Sequence, residues 1–436
     1  MRWILFFPLL SVSFLSFADA PAPAANPVTP ANVNEDPSLL AFMNSNNPTE
    51  DLGKPLGMKV TYPYGQGLKF SSPDGKTYMK VSGYFQAYSA DFYGDTSDQV
   101  YNLANLKNGL YIPSGRITFR GALNSDWKYR FEYDFATSSL NYAYLNYVGW
   151  NHVELKGGEY KPAFSSASLT ERVDDTFMEH ALPVGAFSAN YAVGTEALFY
   201  TDYFSFATGV FAPAQPVVNG IAITGSAPMA VNGRLNVEPI DNTKDLLHLG
   251  VGAYYRQALN GQYTQFRTFP EMASNNNSDI CLVDTGVINN SQDYYVTSAE
   301  FINVAGSFTV EGEYYLATVN RSINPNLTFD GYYGAMSYFL TGETRIYDYL
   351  NGAFLGITKV LHSYGAWEVA FRFSNVDLNS QNILGGEEND ATAALNWYPV
   401  QRVKLGAEYI YANATPSSNG LNRHVNIVGL MLQARF

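Results

Sequence analysis

The chain has 436 residues, a formal net charge of -13, five histidines and a single cysteine, Cys281. That charge argues against nucleic acid as a partner, and one thiol rules out an internally disulfide-stapled scaffold. Hydrophobic residues make up 46% of the chain and aromatics 15%, yet mean hydropathy is only -0.14. Alternating strands produce that combination, since one face of each strand can be apolar while the other meets water.

Taken from the N-terminus, Arg2, the apolar run Trp3 to Phe17 and the small-x-small triplet Ala18-Asp19-Ala20 read as a cleavable signal peptide over residues 1-20. Residues 21-66 are rich in Pro, Ala and Asn and lack a strand period, so they predict a flexible arm, with a short helix near Pro37 to Met43. From Gly67 to the end, period-two runs recur. Met79, Val81, Phe85 and Ala87 alternate with Lys80, Ser82, Tyr84 and Gln86; Tyr129, Phe131, Tyr133 and Phe135 alternate with Lys128, Arg130, Glu132 and Asp134. Trp367, Val369, Phe371 and Phe373 oppose Glu368 and Arg372, and Leu405, Ala407 and Tyr409 oppose Lys404 and Glu408. One face is lipid-compatible and the other hydrated.

Short links at Asn124-Ser125-Asp126, Gly149-Trp150-Asn151, Thr201-Asp202, Ala305-Gly306-Ser307 and Pro399-Val400-Gln401 alternate with long ones near 94-110, 162-193, 213-228, 258-292 and 413-421. No stretch offers the apolar length of a spanning helix, so the fold class expected is an all-β transmembrane antiparallel barrel over 67-436, of about 16 strands, with outer-membrane lipid around it. The last run places Val428, Leu430, Leu432, Ala434 and the terminal Phe436 on one face and Arg435 on the other. It is the closing strand, expected to pair with the one around Val81 to Phe85, because a membrane barrel leaves no edge.

Strand parity aims Arg116, Arg120, Arg130, Arg256 and Arg372 into the lumen as a basic track, with Arg234 and Arg435 as further members. Glu132, Asp134, Glu154, Glu311, Glu313, Glu368 and Glu408 share that face, so cross-strand pairing competes with ion handling for each arginine. The histidines are scattered without ligand spacing, and no serine sits in a nucleophile elbow; neither a metal, a cofactor nor an enzymatic activity is expected.

Gly331-Tyr332-Tyr333, the run Ser337-Tyr338-Phe339-Leu340-Thr341-Gly342-Glu343-Thr344-Arg345-Ile346-Tyr347, then Gly365-Ala366-Trp367-Glu368-Val369-Ala370-Phe371-Arg372-Phe373-Ser374 and Leu395-Asn396-Trp397-Tyr398 resemble the phosphate-selective porin O and P family. The resemblance implies a 16-stranded barrel, a homotrimer, and a long third loop, here about 162-193, folded inward to narrow the pore. It places anion-binding or constriction candidates at Lys161, Ser165 and Ser166, with Arg172 further along the loop and Asp134 beside them. Pro113-Ser114 and His180 stand where relatives carry arginines, and the loop holds Glu171, Asp174, Asp175 and Glu179. The expectation is an outer-membrane porin for passive diffusion of small hydrophilic solutes, with a preference for anions such as phosphate. A general or weakly cation-selective pore, or a non-conducting surface barrel, stays open.

Overall fold

The computed structural model describes residues 57-62, 67-94, 108-214, 217-218, 221-224, 226-242, 244-260, 262-272, 281-415 and 423-436. The expected signal peptide, the helix near Pro37 and most of the arm lie outside the described residues.

The main sheet has 18 strands, two of them short. Lys59–Thr61, inside the stretch read as an arm, pairs with Leu68–Ser71, which in turn pairs with the start of the first long strand. The other sixteen strands form the barrel. They are β1 (Tyr78–Gly94), β2 (Gly109–Leu123), β3 (Trp127–Asp134), β4 (Ser139–Trp150), β5 (Val153–Tyr160), β6 (Ala192–Tyr200), β7 (Phe204–Pro213), β8 (Ala230–Asp241), β9 (Asp245–Gln257), β10 (Ser291–Ala305), β11 (Phe308–Arg321), β12 (Leu327–Phe339), β13 (Ala366–Ser380), β14 (Ile383–Val400), β15 (Val403–Thr415) and β16 (Arg423–Arg435).

Every neighbour is antiparallel, and β16 closes on β1 with Ala434 opposite Phe85 and Arg435 opposite Tyr84. Phe436 extends the closure: its N–H donates to Gly83 O at 2.9 Å and its carbonyl accepts from Gly83 N at 3.2 Å. The period-two pattern is realised as expected on the outside, where Trp127 and Phe131 are 46% and 45% exposed on β3 while Glu132 and Asp134, on the opposite face, are 1% exposed. Tight connections use residues that tolerate a left-handed backbone, Asn124 and Ser125 between β2 and β3 and Gly306 between β10 and β11.

Two expectations need correction. The end of the barrel with the short turns also carries one long connection, 340-365, while three connections at the opposite end, 135-138, 322-326 and 381-382, are tight. Length therefore does not alternate cleanly. Nor is the inner face hydrated throughout. Toward the loop end, Val296, Val319, Leu327, Phe329 and Val376 point inward and meet Phe164, Leu182, Val184, Phe187 and Phe266 from two loops. A second apolar cluster joins Tyr88, Ile410, Ala412, Val425 and Ile427 to Met178 and Met272. There the wall is apolar on both faces because inward-folded loops, not water, cover its inside.

The loops that do this are 161-191, holding the short helices α1 (Ser166–Leu169) and α2 (Leu182–Phe187), and 258-290. Gly252 on β9 makes the approach possible, since a Cβ there would lie 2.0 Å from Phe164 O. From the other end, 340-365 enters the lumen as a hairpin of Arg345–Asp348 with Ala353–Ile357.

Candidate functional site

A loop buried inside a barrel must satisfy its own backbone, and the wall supplies the partners. Ala167 N donates to Glu313 Oε1 at 2.8 Å, Ser166 N to Glu300 Oε2 at 2.9 Å and Met178 N to Glu408 Oε1 at 2.7 Å. Lys404 Nζ donates to the carbonyls of Asp175 and Thr176 at 2.9 and 2.7 Å, and Gln433 Nε2 to Val173 O at 2.9 Å. Ser165 caps α1 in a capping box with Ser168, and its Oγ shares a 2.8 Å hydrogen bond with Tyr315 Oη. These wall polar groups are the loop's anchors.

The hairpin from the opposite end is fastened in the same way. Arg234 grips Glu300 with Nε and Nη2 at 3.0 and 2.7 Å and donates to the carbonyls of Asn351 and Gly352 at 2.8 and 2.9 Å. Tyr347 Oη reaches His248 Nδ1 at 2.6 Å and Glu238 Oε1 at 3.1 Å. The hairpin and the third loop then meet: Arg345 Nη2 donates to Asp174 O at 3.2 Å, and Phe354 N to Thr170 Oγ1 at 3.2 Å. Arg435, on the inner face as parity required, pairs with Asp174 at 2.7 Å.

The largest open space lies against β1 to β8 and the inward hairpin. Two adjoining cavities of about 360 and 270 Å³ share Lys128, Tyr144, Lys156, Lys161 and Asp348 as lining; Arg120 and Arg130 line the first, Glu154 and Glu196 the second. Their charges fall into two groups. Arg116 is held by Asp134 at 2.9 Å and Glu132 at 3.0 Å, and Arg130 by Glu132 at 2.6 Å and Glu171 at 2.9 Å. The remaining cations, Arg120, Lys128, Lys156 and Lys161, form no ion pair among the described residues. Lys156 Nζ instead sits 5.0 Å from the Tyr160 ring and 5.5 Å from Tyr144, and Lys161 Nζ sits 5.5 Å from the Tyr191 ring while donating to Ser168 O at 2.8 Å. The lining acids are already engaged: Glu154 accepts from Asn146, Glu196 from Ala163 N and Asn232, and Asp348 from Leu350 N and Asn351.

Lys161 sits at the end of β5, at the start of the third loop. Burial pulls its ammonium down to about 8, with Arg116, Arg172 and Arg130 adding to the fall and Glu171 opposing it. Burial pushes Glu171 the other way, but Arg130, Arg116 and Lys161 outweigh it and hold the carboxyl at about 2. Glu171 is therefore fully ionised at neutral pH.

The residues expected to share one site are thus dispersed. Lys161 borders the open space. Ser165 and Ser166 are buried against the β10–β11 wall, where they start a helix instead of facing solute. Arg172 turns to Glu179 at 2.5 Å, and Asp134 is consumed by Ser114, Gly115 N and Arg116. Of the basic track, Arg120 lines the path and Arg116 and Arg130 are neutralised beside it. Arg372 is buried under the fifth outer loop, 258-290, with Glu271 at 2.6 Å, and Arg256 lies apart toward the loop end. Lys128 and Lys156 also line the open space, and the signal for them in the sequence is their parity with Arg130 and Tyr160.

A family model described as "Phosphate-selective porin O and P" matches residues 80–436. Porin O of Pseudomonas aeruginosa is 24% identical over 390 residues, covering 81% of this chain and 87% of that protein. Among solved structures, an anion-selective porin from Comamonas acidovorans superposes with TM-score 0.53 at 12% identity, over 83% of this chain and 100% of its own. The outer-membrane channel DcaP of Acinetobacter baumannii gives TM-score 0.52 at 13% identity, over 85% and 100%.

Proposed function

This chain belongs to the phosphate-selective porin O and P family and is a bacterial outer-membrane porin, and on that footing we propose that its diffusion path favours small anions, phosphate among them. The observation that carries the reading is that Arg120, Lys128, Lys156 and Lys161 line the open space without an ion pair among the described residues, with Lys156 and Lys161 set against tyrosine rings. An aromatic face steadies a cation through its quadrupole without adding a negative charge, so the cation stays available to a passing anion. An ion pair of the Arg116–Asp134 kind cancels it. Lysines serve here as point charges, which suits transit better than a bidentate arginine grip would.

Planar-bilayer recording tests this. In a potassium chloride gradient the reversal potential takes the sign of anion preference, and added phosphate blocks chloride current. A cation-selective channel without phosphate block leaves a general porin, and an absence of conductance leaves a surface barrel. We further propose a homotrimer, supported by the family; chemical cross-linking in detergent that stops at monomer argues against it.

A further inference from the structure

Toward the loop end, past Lys161 and Tyr191, lies a separate cavity of about 210 Å³ whose walls are largely Pro, Ala and aromatic side chains. Phe211, Pro162 and Tyr254 form its apolar body; the Tyr254 hydroxyl is already spent on Phe187 O at 2.7 Å, leaving the ring as wall.

Two polar groups on that lining are unused. Arg256 is half-buried and has no carboxylate within ion-pair reach among the described residues, unlike Arg116, Arg130, Arg234 and Arg372. Asn232 is 4% exposed. Its Nδ2 donates to Ala163 O at 2.7 Å and Glu196 Oε2 at 2.9 Å, whereas its Oδ1 is buried with no partner. A buried acceptor left without a donor costs roughly 1–3 kcal/mol, a cost that a ligand hydroxyl removes. The register sets Asn232 opposite Tyr254 and Ala230 opposite Arg256. Asn232 and Arg256 are therefore diagonal neighbours on the inner face, about 7–8 Å apart at the backbone.

We propose that this cavity is a subsite for small aromatic carboxylates bearing a hydroxyl: the carboxylate pairs with Arg256, the ring packs between Phe211 and Pro162, and the hydroxyl donates to Asn232 Oδ1. The proposal deepens the anion-preferring reading and rests on it for transport, though not for binding. A polar pair set in an apolar cavity selects by what the ligand leaves unpaired, which inorganic phosphate, with no apolar body, cannot exploit.

The test uses 4-hydroxybenzoate, benzoate and inorganic phosphate as blockers of single-channel chloride current, with calorimetric titration of 4-hydroxybenzoate into the detergent-solubilised protein. The expected result is block by 4-hydroxybenzoate at about one tenth the concentration needed for benzoate, the ratio a single satisfied hydrogen bond gives. Arg256→Gln abolishes that block and the calorimetric binding, leaves phosphate block unchanged and retains open-channel conductance, which shows that the variant has folded. Equal block by the two benzoates, or block that survives Arg256→Gln, overturns the subsite. A cation-selective wild type that still binds 4-hydroxybenzoate through Arg256 overturns the anion reading alone.

Discussion

Lys161 makes the anion preference depend on pH in a way that a fixed guanidinium cannot. With its ammonium at about 8, about 97% of molecules carry the charge at pH 6.5 and about 3% at pH 9.5. A chloride ion about 5 Å from Nζ gains about 3 kcal/mol at an effective dielectric of 20 and under about 1 kcal/mol in water. The cavity is wet on one side and walled by tyrosines on the other, so the gain lies near 1–2 kcal/mol, about a 5- to 30-fold change in anion occupancy. Chloride keeps one charge throughout, so reversal potentials in a potassium chloride gradient report Lys161 and not the solute. Anion preference should fall by that factor from pH 6.5 to 9.5, with a midpoint near 8. Lys161→Gln should be flat at the weak level and Lys161→Arg flat at the strong one. A pH step that persists in Lys161→Gln, or a wild type indifferent to pH, refutes the assignment.

Glu171 opposes the fall in Lys161 and neutralises part of Arg130. Glu171→Gln should therefore raise the anion-to-cation permeability ratio and move the Lys161 midpoint below about 8; an unchanged midpoint contradicts that coupling. On β14, both carboxylate oxygens of the fully buried Glu388 lack partners, and so does Asp390 Oδ1 on the same face. Glu388→Met removes these unpaired buried acceptors and should stabilise the barrel by about 1–3 kcal/mol in urea unfolding from detergent; destabilisation counts against an unpaired carboxyl group there. Replacing residues 342-364 with Asn-Gly removes the inward hairpin while keeping Leu340 N on Trp367 O at 2.8 Å. Single-channel conductance should at least about double, and an unchanged value means that the hairpin does not obstruct flow.

The barrel was legible because one rule governs its outside. Phe85, Phe131, Phe371 and Leu430 must each meet lipid, and their even spacing exposes strand, parity and closure together. The inside obeys no such rule. Ile410, Ala412, Val425 and Ile427 face inward yet are as apolar as the outer face, since what they meet is Met178 and Met272 from loops distant in sequence. Ser165 and Ser166 are cast as solute ligands by the family resemblance alone; whether a serine faces solute or starts a helix depends on where Tyr315 and Glu300 lie. The hairpin within 340-365 was hidden for a related reason. Arg345, Ile346 and Tyr347 follow a strand run closely enough to be read as its continuation, and only Gly342, Gly352, Gly356 and Gly365, each at positive φ, mark the reversals. The lysines of the path carried a readable parity signal. Which of the inward cations stay unneutralised was not readable, because that follows from the reach of Glu171, a loop residue.

The contacts of Arg345 with Asp174 O and of Phe354 N with Thr170 join segments that enter from opposite mouths of the barrel. The narrowing is therefore owned jointly by two compartments. A protease, denaturant or salt confined to one side of the membrane acts on only one half of the clasp, yet releases the other half as well by stripping it of its hydrogen-bond partners. Assembly carries the mirror image of this dependence: neither segment can reach its final seat until the cylinder is closed around both, so the conducting geometry is the last thing the chain acquires.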